Sequence, residues 1–155
     1  MKYIFAALLA FMICCCTACS EAEEPHMECE VEPVAGDDND VTGTWKLVIG
    51  EHVFDPAAPR MEDYSCDNII YHFRDDGLLS ISSDVEDHLG AFGDGQPYEL
   101  VEDTIYATDG FLLKLGSGSS TINYLCSILE GVMELDDRPL EGPLLTLVRV
   151  TQEAS

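Results

Sequence analysis

The sequence predicts an all-β protein, an antiparallel up-and-down barrel of about eight strands. Three observations carry that expectation. Short apolar segments alternate with a period of two, and turn signals separate them roughly every 8–12 residues. No stretch carries the i, i+3, i+4 apolar spacing of an amphipathic helix. Evenly spaced strands without room for parallel crossovers make an antiparallel sheet, and closing it into a barrel removes edges that would otherwise lie exposed.

Taken in order, Trp45, Leu47 and Ile49 alternate with Thr44, Lys46 and Val48 in a first strand. The span from Asp55 to Asp63 is broken by prolines and reads as a loop with at most one helical turn. Ile69, Tyr71 and Phe73 share one face, with His72 on the outward side, and Asp75-Asp76-Gly77 then supplies a hairpin turn toward Leu79 and Ile81. A loop rich in Asp, Gly and His runs from Asp84 to Gly95. Tyr98 and Leu100, then Thr104 to Tyr106, make short strands before a second turn signal, Thr108-Asp109-Gly110. Phe111, Leu113 and Leu115 alternate again. The turn Gly116 to Ser120 leads to a face made of Ile122, Tyr124, Cys126 and Ile128, and the stretches 132–135 and 144–150 complete the set.

The length, 155 residues, is that of one domain. The chain divides into a leader at 1–18, an acidic linker at 19–40, the barrel at 41–151 and a tail at 152–155. Seven Lys+Arg against 30 Asp+Glu give a net charge of −23. Such a surface repels nucleic acid and anionic membrane, and its simplest reading is a solubility coat. Residues 20–40 hold Pro, Gly and many acids with little apolar content, the composition of a flexible tether.

The leader starts with Met1-Lys2, continues with an apolar run from Tyr3 to Cys14 too short to span a bilayer comfortably, and places Thr17-Ala18 before Cys19. This resembles the lipobox of bacterial lipoproteins. The resemblance implies that Cys19 is acylated with diacylglycerol and becomes the first mature residue. Ser20-Glu21-Ala22-Glu23-Glu24 is similar to the acidic signal that carries Bacteroidetes-type lipoproteins to the outer face of the outer membrane, with a periplasm-facing location as the alternative. Cys14, Cys15 and Cys16 leave with the leader, and Cys29 falls in the linker. Cys66 and Cys126 remain as the pair within the domain, either as a disulfide or as two buried thiols.

Gly43-Thr44-Trp45 opens the first strand and Arg149 lies in the last. This resembles lipocalins, in which a Gly-x-Trp begins strand one and an Arg of the final strand covers the indole at the closed end. The wider layout of Gly43, Trp45, Leu47, Cys66, Tyr71, Phe73, Asp76, Gly77 and Arg149 looks like the lipocalin-like domains of bacterial lipoproteins. The resemblance implies that Gly43, Trp45 and Arg149 serve structure, through a cation–π contact.

Catalytic signatures are missing. Gly116 to Ser120 is not a nucleophile elbow, and with 30 acids any carboxylate pair can be imagined. His52, His72 and His88 have no metal-ligand spacing. Asp37-Asp38-Asn39-Asp40 lacks the glycine and distal Glu of a calcium loop and reads as solvated linker. Asp103-Thr104-Ile105 is similar to a Bacteroidetes O-glycosylation acceptor. The expectation is therefore a non-enzyme with no cofactor and no metal. Tyr71, Phe73, Tyr98, Tyr106, Phe111 and Tyr124, with Leu100, Leu113 and Ile122, would line a barrel for a small apolar ligand, or fill it. The alternative is a ligand-free domain that offers loops 51–67 or 84–95, with Phe54, Leu89 and Phe92, to an envelope protein.

Overall fold

The computed structural model describes residues 27–52, 60–86, 88, 92–93, 95–102 and 110–151. Nine strands follow one another: β1 (Gly43–His52), β2 (Arg60–Asp63), β3 (Ile70–Phe73), β4 (Leu78–Ser82), β5 (Gln96–Glu102), β6 (Phe111–Leu115), β7 (Ile122–Leu129), β8 (Val132–Asp136) and β9 (Leu144–Val150). Every pairing is antiparallel, and β9 returns to β1, with Trp45 opposite Arg149 and Glu51 opposite Leu144. The result is an all-β, closed eight-strand barrel of the up-and-down kind.

Nine strands fill eight positions because β2 and β3 share one. Both run along the same edge of β1: Ile49 to His52 face Asp63 to Arg60, and Gly43 to Lys46 face Phe73 to Ile70. Between them residues 64–69 leave the ladder, with Tyr64 and Ile69 buried in the core and Cys66 and Asn68 exposed, bracketed by bonds from Tyr64 N to Val48 O (2.8 Å) and from Leu47 N to Ile69 O (3.0 Å). β2 is a strand where the sequence predicts only loop. Its Arg60-Met61-Glu62-Asp63 shows no apolar alternation because it pairs with the upper half of β1 and stays largely exposed.

The register of β1 against β9 slips between Leu47 and Ile49. This bulge turns Ile49 away from the inward face it was expected to share with Trp45 and Leu47. Ile49 joins Val48 and Val148 in a second cluster on the outer wall, covered by Met27 and Val31. The main core fills the interior with Trp45, Leu47, Tyr71, Phe73, Leu79, Leu113, Met133, Leu135, Leu145 and Leu147, all fully buried, among others. Ile122, expected on this inward face, is instead exposed.

The thinnest seam lies between β4 and β5, where only Leu78↔Pro97 and Leu79↔Gln96 are paired. Pro97 has no amide to donate, so the ladder cannot be uniform there. At the opposite side Glu130 (φ 52°) and Gly131 (φ 81°) form the tight turn from β7 to β8, the left-handed pair that matches strand twist.

Residues 27–40 correct the expectation of a flexible tether reaching to residue 40. Cys29 is bonded to Cys66, Glu28 N donates to Asp63 Oδ2 and Cys29 N to Ser65 Oγ. Further along, Val34 N donates to Arg149 O at 2.9 Å. A Cβ on Gly131 would come within 2.5 Å of the Val34 carbonyl oxygen, so only glycine lets the strap pass. Composition alone does not reveal this, because the strap is held by backbone bonds, a disulfide and two apolar side chains rather than by a core of its own.

Candidate functional site

The two ends of the barrel differ. At one end, the Trp45 ring lies beneath the Arg149 guanidinium, whose carbon sits 4.5 Å from the ring centroid. The indole N–H donates to Val41 O at 2.7 Å. Arg149 Nη2 donates to Asp37 O and Asp40 O, at 2.9 and 2.8 Å. Asp37-Asp38-Asn39-Asp40 is thus a folded turn that wraps this guanidinium, not free linker. Asp37 Oδ1 accepts from the Asn39 amide, and Asp40 Oδ1 from Thr42 N at 2.8 Å. The Thr42 hydroxyl and amide hold the Asp40 carboxyl below its ordinary value, with Arg149 adding to the effect against a small cost of burial. Gly43 begins β1 beside this turn.

The other end is the mouth, and its lining is aromatic. Tyr64, Tyr71 and Tyr124 point inward and are buried. Phe92, from the loop between β4 and β5, places its ring edge-on to both Tyr71 (centroids 6.2 Å apart) and Tyr124 (5.8 Å). His88, from the same loop, meets Tyr64 edge-on at 6.5 Å. The loop leaves β4 through a Ser83–Val85 turn and is fixed to the 64–69 bulge by Asn68 N donating to Asp84 Oδ1 at 2.9 Å. Burial pushes the Tyr71 phenol up, with Tyr124 and then Tyr64 nearby adding to it. Burial and then Asp137 do the same for Tyr124. Both phenols therefore stay neutral, offering a hydroxyl and an aromatic face. Asp137, at the end of β8, is pushed up by burial and by Asp136.

The residues singled out from sequence scatter across this frame. Tyr71 and Tyr124 line the mouth, whereas Phe73 lies deeper and stacks edge-on with Tyr98 at 5.1 Å. Tyr98 is half-buried and donates its hydroxyl to Arg74 O at 2.7 Å. Phe111 borders a separate open hollow of about 260 Å³ on the wall, with Leu125, Cys126, Ser127, Glu134 and Asp136. Tyr106, Phe54, Leu89 and Cys19 lie outside the described residues. Phe92, which the ligand-free alternative would have exposed on its loop, is partly buried and packs against the main core.

Neither alternative left open for Cys66 and Cys126, a mutual disulfide or two buried thiols, is what forms. Cys66 pairs with Cys29, 37 positions away, and Cys126 is a buried free thiol whose proton burial holds up to about 12. Cys66 is exposed in the segment between β2 and β3, whereas Cys126 is buried in the core. The strap brings Cys29 to the bulge, which sequence spacing could not foretell. Tyr64 and His88 were also missed: neither falls in an alternating segment.

Among the described residues no three His, Cys, Asp or Glu side chains converge as metal ligands. His72 meets Thr44 Oγ1 through Nδ1 at 3.0 Å on the outer wall, remote from His88. The class that fold and site define is a small closed antiparallel β-barrel with one sealed end and one aromatic, loop-covered mouth. No family model, characterised protein or solved structure matches the chain.

Proposed function

We propose that this chain is a lipid-anchored envelope lipoprotein with a lipocalin-like barrel, acylated at Cys19, that binds a small apolar ligand at its mouth. The observation that carries the ligand reading is the Phe92 ring between Tyr71 and Tyr124. The barrel is closed there by a loop side chain rather than by a strand. A flat or chain-like apolar group could take the same place against the same faces, with neutral phenols to meet a polar end. The Gly43, Trp45 and Arg149 arrangement supports the lipocalin-like reading, and the sequence around Cys19 supports the anchor. The outer membrane, with the cell surface as the expected face, is the location that goes with it.

A second reading is favoured by the packing below Phe92. Ten interior side chains named above are fully buried, which suits a solid barrel presenting its loops to an envelope protein. Phe92→Ala separates the two. In the mature chain with Cys19→Ser, a fluorescent fatty-acid probe should bind more tightly after Phe92→Ala, and native mass spectrometry of protein from its own envelope should show a co-purifying molecule. If neither protein binds the probe and both are bare, the solid-barrel reading replaces the ligand reading.

A further inference from the structure

The carboxylates that border the mouth differ in what they hold. Glu62 accepts from the Tyr64 hydroxyl and pairs with Arg60 Nη2 at 3.0 Å. Asp63 accepts from the Glu28 and Ser65 amides, and Asp84 from the Asn68 amide. Asp137 stands apart. Its Oδ1 is shut off from solvent and, among the described residues, accepts no hydrogen bond. The turn that follows is closed by Leu140 N and Gly142 N, which both donate to Asp137 O, at 2.9 and 3.0 Å. A Cβ on Gly142 would overlap the Asp137 carboxylate, so the side chain is packed against that backbone. Tyr124 lies nearby: after burial, the Asp137 charge is what raises the Tyr124 phenol.

We propose that Asp137 receives the polar head of the ligand, and that this head is an ammonium group rather than a carboxylate. The inference rests on the ligand reading above and names the chemistry of the ligand's polar end. A group that takes the place of Phe92 lies against Tyr124, and Tyr124 in turn borders Asp137. The head of such a ligand therefore stands about one ring's width from a carboxylate oxygen that has no donor.

The three common head groups fare differently there. An ammonium supplies both the missing donor and the opposite charge, which makes the stronger kind of hydrogen bond. A hydroxyl supplies only the donor. A carboxylate supplies neither and meets Asp136 and Asp137 as like charges. Burial and then Asp136 raise the Asp137 carboxyl. The second of these is the repulsion that an added anion would increase and an added cation would relieve. The aromatic surround acts in the same sense, because ring faces carry the negative end of the quadrupole. The excess of 30 Asp+Glu over seven Lys+Arg draws cations to the whole surface, so it speeds their arrival without selecting a place. Selection falls to Asp137.

The test uses three probes with one fluorophore and one alkyl chain, ending in an ammonium, a hydroxyl or a carboxylate. Each is titrated into the whole mature chain with Cys19→Ser at about pH 8, where amines and carboxylates are both charged. The ammonium probe should bind about tenfold more tightly than the carboxylate probe, with the hydroxyl probe between them. Asp137→Asn keeps the shape and removes the charge, and should bring the ammonium and hydroxyl probes to within about twofold of each other. Glu130→Gln removes one charge from an exposed position in the β7–β8 turn, at the end of β8 opposite Asp137, and should leave the ranking as it is. Ammonium and carboxylate probes of equal affinity in the parent overturn the head group, whether or not a variant folds. A preference that survives Asp137→Asn, or that Glu130→Gln lowers as much, overturns the site. Failure of all three probes in the parent and in Phe92→Ala overturns the ligand reading and the head group together.

Discussion

At the sealed end, Trp45 is held by partners drawn from two stretches of chain: Arg149 of β9 over the ring, and the 37–41 stretch, whose Val41 takes the indole N–H and whose 37–40 turn wraps the guanidinium. At the mouth, the closing ring is Phe92, on a loop, touching Tyr71 and Tyr124 through ring edges. One end is built from hydrogen bonds that must all break together. The other is closed by apolar contact that a competitor of similar shape can replace. The contrast teaches that a barrel can be firm and still keep one exchangeable position, provided the stopper comes from a loop.

The largest effect expected from this comparison is at Trp45. Trp45→Ala should lower stability by about 3–5 kcal/mol, because a fully buried indole leaves a cavity that its fixed neighbours cannot fill. Urea unfolding followed by tyrosine fluorescence measures it. A loss below about 1 kcal/mol would mean the sealed end is not the firm one.

Next comes the strap. Joining Cys29 to Cys66 closes a loop of 37 positions, and Cys29→Ser with Cys66→Ser should cost about 2–4 kcal/mol through the unfolded chain's regained freedom. Reduction of the native protein should reproduce that loss. Proteolysis within 30–36 should accelerate in parallel, since that stretch is otherwise fastened by few bonds.

Phe92→Ala should cost less, about 1–2 kcal/mol, because the ring is only partly buried and its site opens to solvent. Its near-ultraviolet circular dichroism should change as Tyr71 and Tyr124 lose their ring neighbour. A cost equal to that of Trp45→Ala would erase the distinction between the ends.

Much of the barrel was legible in sequence, since alternation reports burial on one side of a strand. β9 ran over 144–150 as expected, and the Gly43-Thr44-Trp45 and Arg149 positions came to lie together. The mouth was legible only in its strand residues, Tyr71 and Tyr124. Phe92, His88 and Tyr64 sit where no periodicity operates, and their placement depends on how a loop and a bulge fold back. The strap was hidden for a related reason: an acidic, Pro-containing stretch looks unstructured until Cys29 finds Cys66. Ile49 shows the remaining failure, a one-residue bulge that reverses every face after it.

The smallest effect concerns the turn that wraps Arg149. The Asp40 carboxyl is held below its ordinary value of 3.8, first by the Thr42 hydroxyl, then by the Thr42 amide and more weakly by Arg149. A depressed folded value means the ionised form is favoured by folding. Its contribution is complete above the unfolded value and disappears as pH falls through the folded one. Asp40→Asn keeps an oxygen for Thr42 N and removes only the charge. The variant should therefore melt slightly below the parent at pH 7, and the two curves should converge in acid below 3.8. Thermal unfolding at several pH values decides the matter. A gap that stays constant down to the acid limit would assign the turn's contribution to hydrogen-bond geometry alone, and the sealed end would then owe its firmness to Trp45 and Arg149 without electrostatic help from the strap.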